Sequence, residues 1–294
     1  VIEEFLNQFT LCDSLTFMDD CVSYGDKDFF DFICTDPPYN RVGKVTKNQN
    51  KINTLKISGE FLSYGNSKSK DYQSIEDDWD IIVNPLEWNR KWLHNCKVLM
   101  KPSATLMVFC SFHNLFDVGK AAEEEGLNLL NIITLKKRNP MPLLSGRNLT
   151  YSCEYILWYS KCSNWNFNYS FSKDIDYLED SFKKKGKQMH DCWMVTVNRL
   201  KDEVMFNLDE NGGVMHKTQK PLRWIERCFD IAFPLNDQKK FSGIVLDCFG
   251  GTGTICDFAE RKNKKGHNIQ YVVLEKNERY LQIGLNRIKF QKKN

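Results

Sequence analysis

The stretch Ile244-Val245-Leu246-Asp247, followed by Cys248-Phe249-Gly250-Gly251-Thr252-Gly253-Thr254 and a helical pattern from about Ile255 to Lys262, restricts this chain more than any other feature. An apolar strand, a glycine loop and a helix start form a nucleotide-binding unit of an open α/β sheet. Glycines let backbone approach a ligand, and helix N–H groups face it. A second apolar strand, Tyr271-Val272-Val273-Leu274, ends in Glu275. An acid about twenty residues past such a loop is placed to bind two ribose hydroxyls, so the ligand contains a nucleoside. It is not a dinucleotide of the usual kind, because Cys256 stands where the third glycine belongs. No phosphate-binding lysine follows the loop either, which excludes a P-loop.

A second constellation lies near the other end. Phe29-Phe30-Asp31-Phe32-Ile33-Cys34-Thr35 reads as a buried strand, and Asp36-Pro37-Pro38-Tyr39-Asn40 follows it. Two prolines stop the strand and fix a rigid corner. An acid, backbone carbonyls and an aromatic ring are held together at a strand's carboxyl end, where open α/β sheets bind ligands. The group suits a flat base carrying an exocyclic amine. Asp36 can accept one amine hydrogen, the Pro37 carbonyl the other, and Tyr39 can stack on the ring. Asp-Pro-Pro also occurs in ordinary turns, and a tyrosine after a turn can simply pack.

Phe249-x-Gly251-x-Gly253 resembles the S-adenosylmethionine loop of methyltransferases. Together with Asp36-Pro37-Pro38-Tyr39, His216-Lys217-Thr218-Gln219-Lys220-Pro221 and Glu275, it resembles the amino-methylating DNA methyltransferases. The catalytic corner comes first and the cofactor loop last, an order similar to the β subgroup. The resemblance covers roughly residues 8–160 and 214–290. It implies a doubly wound, mostly parallel, Rossmann-like α/β sheet, circularly permuted, with a small target-recognition insert. It implies transfer of methyl from S-adenosylmethionine, without a metal, to the N6 amine of adenine in duplex DNA after base flipping.

The resemblance also assigns residues. Asp36, Pro37, Pro38 and Tyr39 are the catalytic candidates. Asp13, Asp36, His216, Lys217, Thr218, Lys220, Asp247, Phe249, Gly251, Gly253, Thr254 and Glu275 are the cofactor candidates. Asp13 is equally suited to capping a helix. Tyr39, Asn40, Asn139, Pro140, Lys184 and Lys185 are the substrate candidates. Aspartate at the first position of the catalytic corner goes mainly with adenine in the family; cytosine N4 is the alternative. An oxidoreductase is disfavoured by the missing third glycine, and an inactive DNA-binding regulator by the complete set of catalytic side chains.

The 294 residues suffice for one large core plus an appendage. A formal net charge of only +3 means that any DNA affinity must come from local patches. Eleven scattered cysteines, with no Cys-x-x-Cys pair, read as free thiols in a reducing compartment. The five histidines lack metal-ligand spacing. The first residues do not resemble a signal peptide, and no apolar run approaches membrane-spanning length. These features suggest a cytoplasmic protein of bacterial, archaeal or viral origin. The resemblance adds a homodimer and a cognate restriction endonuclease as expected partners.

The expected organisation has a catalytic half at 1–160, a target-recognition segment at 161–213 and a cofactor-binding half at 214–294. Residues 41–76, polar and rich in lysine, are expected to form a flexible loop over the DNA. Pro85 to Asn95 reads as a helix whose Trp88 and Trp92 share a face and suit the core. Lys101-Pro102-Ser103 reads as a turn and Ala104 to Phe109 as a strand. Asn114–Glu125 is a helix, with strands near Leu129–Leu135 and Tyr155–Tyr159. Lys136 to Pro142 reads as a stiff basic loop, which the resemblance places at the target-base pocket. Within 161–213, aromatics alternate with basic residues, a pattern suited to DNA contact. A helix is expected from Leu222 to Phe233.

Overall fold

The structure, a computed structural model, describes residues 1–40, 80, 82–140, 142, 148–196, 199–216 and 218–293. The expected loop at 41–76 and Lys217 lie outside the described residues. The strands are β1 (Gln8–Leu11), β2 (Phe30–Thr35), β3 (Met100–Cys110), β4 (Asn128–Lys137), β5 (Cys153–Ser160), β6 (Cys192–Val195), β7 (Ser242–Asp247) and β8 (Asn268–Glu275). The helices are α1 (Ser14–Ser23), α2 (Pro85–Leu99), α3 (Leu115–Glu124), α4 (Tyr169–Asp174), α5 (Lys201–Met205), α6 (Leu222–Ala232), α7 (Thr254–Asn263) and α8 (Glu278–Lys293).

All eight strands form one sheet in the order β1-β8-β7-β2-β3-β5-β4-β6. Five of its seven pairings are parallel; β5 alone runs against both of its neighbours. The last two strands of the chain insert between the first two, which is the permuted order expected. That insertion puts the carboxyl ends of β2 and β7 side by side, at a crevice where such sheets bind ligands.

Period-two alternation distributes the core to both faces. From β3, Met107 and Phe109 face the layer made by α6, α7 and α8, while Leu106, Val108 and Cys110 face the layer made by α1, α2 and α3. Beneath β2 the first layer is a phenylalanine cluster: Phe229 lies 5.3 Å from Phe32 and 4.6 Å from both Phe233 and Phe258. Phe229 is fully buried, and burial of such a side chain contributes about 1.5–3 kcal/mol.

Three local expectations change. Lys136 and Lys137, expected in a stiff loop, are the last residues of β4, where they pair with Met194 and Val195 of β6. Lys101-Pro102-Ser103 does not form a turn before the strand but lies within β3, as an irregularity in its pairing: Phe30 faces Met100, and Phe32 then faces Thr105. The proline is accommodated because the ladder is already interrupted there. The segment 161–213 is also knitted into the sheet. Its strand β6 pairs with β4 and buries Trp193. Asn166 and Asn168 donate their side-chain amides to the carbonyls of Ala232 and Phe233 at 2.8 and 2.7 Å, satisfying the carboxyl end of α6.

Candidate active site

The β2 strand delivers Asp36 to the sheet's carboxyl rim, and the two prolines turn the chain back at once. Tyr39 thereby returns to Asp36, and its hydroxyl donates to Oδ1 at 2.7 Å. Lys220, just before α6, donates to the other carboxylate oxygen at 2.5 Å and to the Tyr39 hydroxyl at 2.6 Å. The lysine stem is buried between rings, its ammonium 5.0 Å from the Tyr39 centroid and 5.5 Å from that of Phe109. Burial pushes the Asp36 carboxyl above the usual carboxylate range; Lys220 and the Tyr39 hydroxyl pull it back, and Glu154 adds a smaller upward push.

The glycine loop stands beside this corner. Thr35 donates to Asp247 Oδ1 at 2.8 Å, which ties the end of β2 to the end of β7, and the Phe249 N–H reaches the same oxygen at 3.1 Å. Gly251 and Gly253 have φ of 52° and 70°, left-handed conformations that favour glycine. The Gly251 N–H donates to Glu275 Oε2 and the Asn277 N–H to Oε1, both at 2.7 Å. Each carboxylate oxygen of Glu275 keeps a lone pair for an incoming hydroxyl. Phe249 packs against Trp88 and Trp92, with centroids at 5.4 and 5.6 Å, so those tryptophans support the loop.

The segment 216–221 closes the cradle. A Cβ on Gly251 would stand 3.4 Å from His216 Nε2. Gln219 Oε1 accepts from Thr252 at 3.0 Å, and the Lys220 carbonyl lies 3.5 Å from the Thr254 hydroxyl. Burial, then the charges of Lys220 and Arg199, push the His216 imidazole down to about 3, so it stays neutral at physiological pH. A neutral ring does not repel a cationic ligand.

Asp247 is buried at the junction of both halves, and burial raises its carboxyl to about 7 against 3.8 for the unperturbed group. The protonated form is therefore favoured by folding. Its stabilising contribution is complete below about pH 3.8 and is lost as pH rises through about 7. An asparagine in its place keeps an oxygen for Thr35 and Phe249 without the charge. We predict that Asp247→Asn raises the melting temperature at pH 8 and changes it little at pH 4. A uniform shift at both values would contradict the assignment.

The other sequence candidates are placed differently. Asp13 caps α1, accepting from the Thr16 N–H at 3.2 Å, and pairs with Lys276 at 3.2 Å. It sits beside Glu275, whose carbonyl accepts the Cys12 N–H at 2.9 Å. Asn40 adopts φ of 51°; its N–H donates to Asp80 at 2.9 Å and its side-chain oxygen accepts from the Ile82 N–H at 3.2 Å. Asn40 thus ties Asp80 and Ile82 to the proline corner, the first through its backbone and the second through its side chain. Thr218 is partly exposed between His216 and Gln219. Asn139 and Pro140 follow β4 on the same rim as Asp36, three strands away, or about 14 Å at ordinary strand spacing.

Lys184 and Lys185 are exposed, but the hydrogen bonds of their loop go to α4, not to the catalytic corner. The preceding Lys183 is buried, and its ammonium donates to the carbonyls of Lys173, Ile175 and Lys184 at 2.8–2.9 Å. That lysine run is therefore partly a structural clasp. Lys220, expected at the cofactor, places its ammonium on Asp36.

Several contributors escape a reading of the sequence. Asn207 holds the backbone of His216 by two reciprocal 2.8 Å bonds. Glu154 lies 4.0 Å from the Lys220 ammonium. Gly284 in α8 lets that helix approach the glycine loop: a Cβ there would clash with a Phe9 ring carbon at 2.2 Å and stand 3.2 Å from the Thr252 backbone. A glycine inside a helix costs about 1 kcal/mol relative to alanine, and that cost is the available signal.

Comparison with known proteins agrees with this geometry. Residues 30–286 match the DNA methylase family of the N6/N4 type. The chain is 31% identical over 267 residues to the Type II methyltransferase M2.LlaDCHI of Lactococcus lactis subsp. cremoris, covering 88% of this chain and 81% of that one. It is 30% identical over 267 residues to the Type II methyltransferase M2.DpnII of Streptococcus pneumoniae, covering 88% and 82%. Its fold is similar to that of the M1.HpyAVI–SAM complex, with a TM-score of 0.57 at 19% identity over 96% of this chain and 98% of the other. It is similar also to the cytosine-N4-specific PvuII DNA methyltransferase, with a TM-score of 0.63 at 14% identity over 95% and 85%. The strand–corner–loop arrangement and these matches give one answer: the chain belongs to the N6/N4 DNA methylase family.

Proposed function

We propose that this protein transfers a methyl group from S-adenosylmethionine to the N6 amine of adenine in duplex DNA, after the base has been extruded from the stack. The observation that carries the reading is the Thr35–Asp247 hydrogen bond, which sets Asp36 beside the glycine loop. The cradle fits the cofactor. The left-handed Gly251 leaves room that a Cβ would fill against His216, and Glu275 offers lone pairs to ribose hydroxyls. Asp13, Asp247, Phe249, Gly253, Thr254, His216 and Thr218 belong to the same cradle. The cofactor supplies an electrophilic methyl group on a sulfonium. Among the described residues there is no cluster of side chains suited to a metal ion.

The chemistry left to the chain is positioning and charge stabilisation. The amine of adenine is a poor nucleophile because its lone pair is delocalised into the ring. Asp36 accepts one amine hydrogen and the Pro37 carbonyl the other, which favours a pyramidal nitrogen and offsets the positive charge that develops there. Pro38 fixes the corner, and Tyr39 lies against the base. Asp36 acts as the carboxylate, so the transfer rate falls as pH falls through its raised pKa. Lys220 opposes that rise. Lys220→Met is therefore expected to move the acid limb of the single-turnover rate to higher pH, with activity recovering in alkaline buffer. An unmoved limb would separate Lys220 from Asp36 ionisation.

Aspartate at position 36 favours adenine over cytosine by the family's usage. Incubation with S-adenosylmethionine and unmethylated genomic DNA, then digestion and mass spectrometry of the nucleosides, tests this. N6-methyladenine is expected; N4-methylcytosine would keep the mechanism and overturn the base. Segment 161–213, with Lys184 and Lys185, and the Asn139–Pro140 corner are assigned to target recognition. A cognate restriction endonuclease and a cytoplasmic setting are carried over as expectations of the family, whose relatives here are named Type II methyltransferases. No helix among the described residues is long and apolar enough to cross a membrane. A homodimer, expected from the family, is checked by sedimentation.

A further inference from the structure

Four charged side chains alternate in sign along the rim at the catalytic corner. Lys137 on β4 pairs with Glu154 on β5 at 2.6 Å. The other oxygen of Glu154 lies 4.0 Å from the Lys220 ammonium, which itself sits 2.5 Å from Asp36 Oδ2. Asp36 Oδ1 meanwhile accepts from Tyr39. Both oxygens of the catalytic carboxylate are therefore engaged by the protein itself.

Each oxygen keeps a second lone pair, so the conflict with the reaction is one of charge and is relieved when the ammonium withdraws. The target amine has to donate to Asp36, and positive charge develops on its nitrogen. An ammonium on the same oxygen repels that charge. Tyr39 is fixed by the proline corner, whereas Lys220 carries its charge on a flexible four-carbon stem. Among the described residues, Glu154 is the other carboxylate within 4.0 Å of that ammonium. A displacement of about 1 Å brings the pair to hydrogen-bond distance. Glu154 itself is oriented from the far side by Lys137.

We propose that Glu154 is a positioning residue that receives the Lys220 ammonium when the target amine takes its place on Asp36, so that one lysine caps the carboxylate before base entry and releases it for methyl transfer. This rests on the adenine-methylation reading above. It assigns to Lys220 a shuttle between two carboxylates and to Glu154 a part in a reaction whose atoms it never touches.

The test is a double-mutant cycle on single-turnover methylation of a duplex carrying the target sequence mapped from methylated genomic DNA. It is run in alkaline buffer, so that Asp36 is ionised whatever its other neighbours Tyr39, Asp247, Cys34 and Cys110 contribute. Glu154→Gln alone is expected to slow transfer about tenfold or more, the range of contacting pairs, without changing the affinity for S-adenosylmethionine. In a Lys220→Met background the same substitution should add nothing. Lys137→Met, which removes a partner that orients Glu154, should reproduce part of the Glu154→Gln penalty in the wild-type background and none of it in the Lys220→Met background. A crystal structure with that duplex and sinefungin supplies a second readout and decides alone should Lys220→Met be inactive. Lys220 on Glu154 and the amine on Asp36 are expected. An equal Glu154→Gln penalty in both backgrounds, or Lys220 still on Asp36 beside the bound amine, overturns the proposal. A wild-type protein that forms no N6-methyladenine overturns the functional reading itself, and the shuttle falls with it.

Discussion

Alanine at position 36 is expected to abolish methyl transfer while leaving S-adenosylmethionine binding intact. Deleting one group aimed at charge that develops in a transition state typically costs 10²–10³ in rate, and a half-buried carboxylate facing a developing cation stands at about that upper figure. The cofactor cradle does not depend on this side chain. Gly251 is held by Glu275, His216 by Asn207 and Thr252 by Gln219. The link from β2 to the cradle runs through Thr35 and Asp247, not through Asp36. Asp36→Asn distinguishes charge from shape. It can still accept from Tyr39 or from the amine, but it does not stabilise a cation as a carboxylate does. An intermediate rate is expected, without the acid limb that Asp36 ionisation imposes. The measurements are single-turnover transfer from labelled cofactor and calorimetric titration of the cofactor. Equal loss of transfer and binding would show that Asp36 belongs to the cradle and would dissolve the division of labour.

The parts of this molecule legible in the sequence are those where one local pattern has one physical solution. The strand–glycine–helix run at 244–254 and the acid at 275 can hardly be satisfied outside an open α/β sheet, and β7, α7 and β8 form there. The proline corner after β2 is legible for the same reason. What escapes is set by partners distant in sequence. Lys220 reads as one of its hexapeptide neighbours, yet its ammonium is claimed by an aspartate 184 residues away. Glu154 lies in a strand whose period-two pattern says only which face it occupies, not which cation comes within reach. Lys183 looks like one of a solvated run and is buried because three carbonyls converge on it. Asn40 follows Tyr39, and its left-handed backbone and amide anchor residues 80 and 82, partners forty residues on that no local pattern announces.

The segment 161–213 is expected to unfold with the sheet, and Asp180→Asn is the substitution that shows it. Arg227 on α6 is almost completely buried, with Tyr177 and Trp193 on it at 4.3 and 4.2 Å from ring centroid to guanidinium. Asp180, also buried, approaches it to 2.6 Å. The asparagine side chain retains the acceptor for the Phe182 N–H, so the local turn survives. The guanidinium, however, is left buried without its counter-charge, which costs about 3–5 kcal/mol. Because Trp193 belongs to β6 of the main sheet and Arg227 to a helix of the main core, that cost falls on the whole cooperative unit. The urea midpoint should drop at an unchanged slope, in a single transition followed by both tryptophan fluorescence and far-ultraviolet circular dichroism. Adding Arg227→Met should recover most of the loss, since an apolar replacement removes the stranded charge. A variant whose main transition stays in place while 161–213 becomes protease-sensitive would mean the opposite: a recognition module docked on the sheet and free to move against it. The two outcomes bear on how this enzyme reads DNA. A segment sharing the sheet's stability presents its groups to the duplex in a fixed relation to Asp36, so the position of the extruded base is set by the rigid body and not by a hinge.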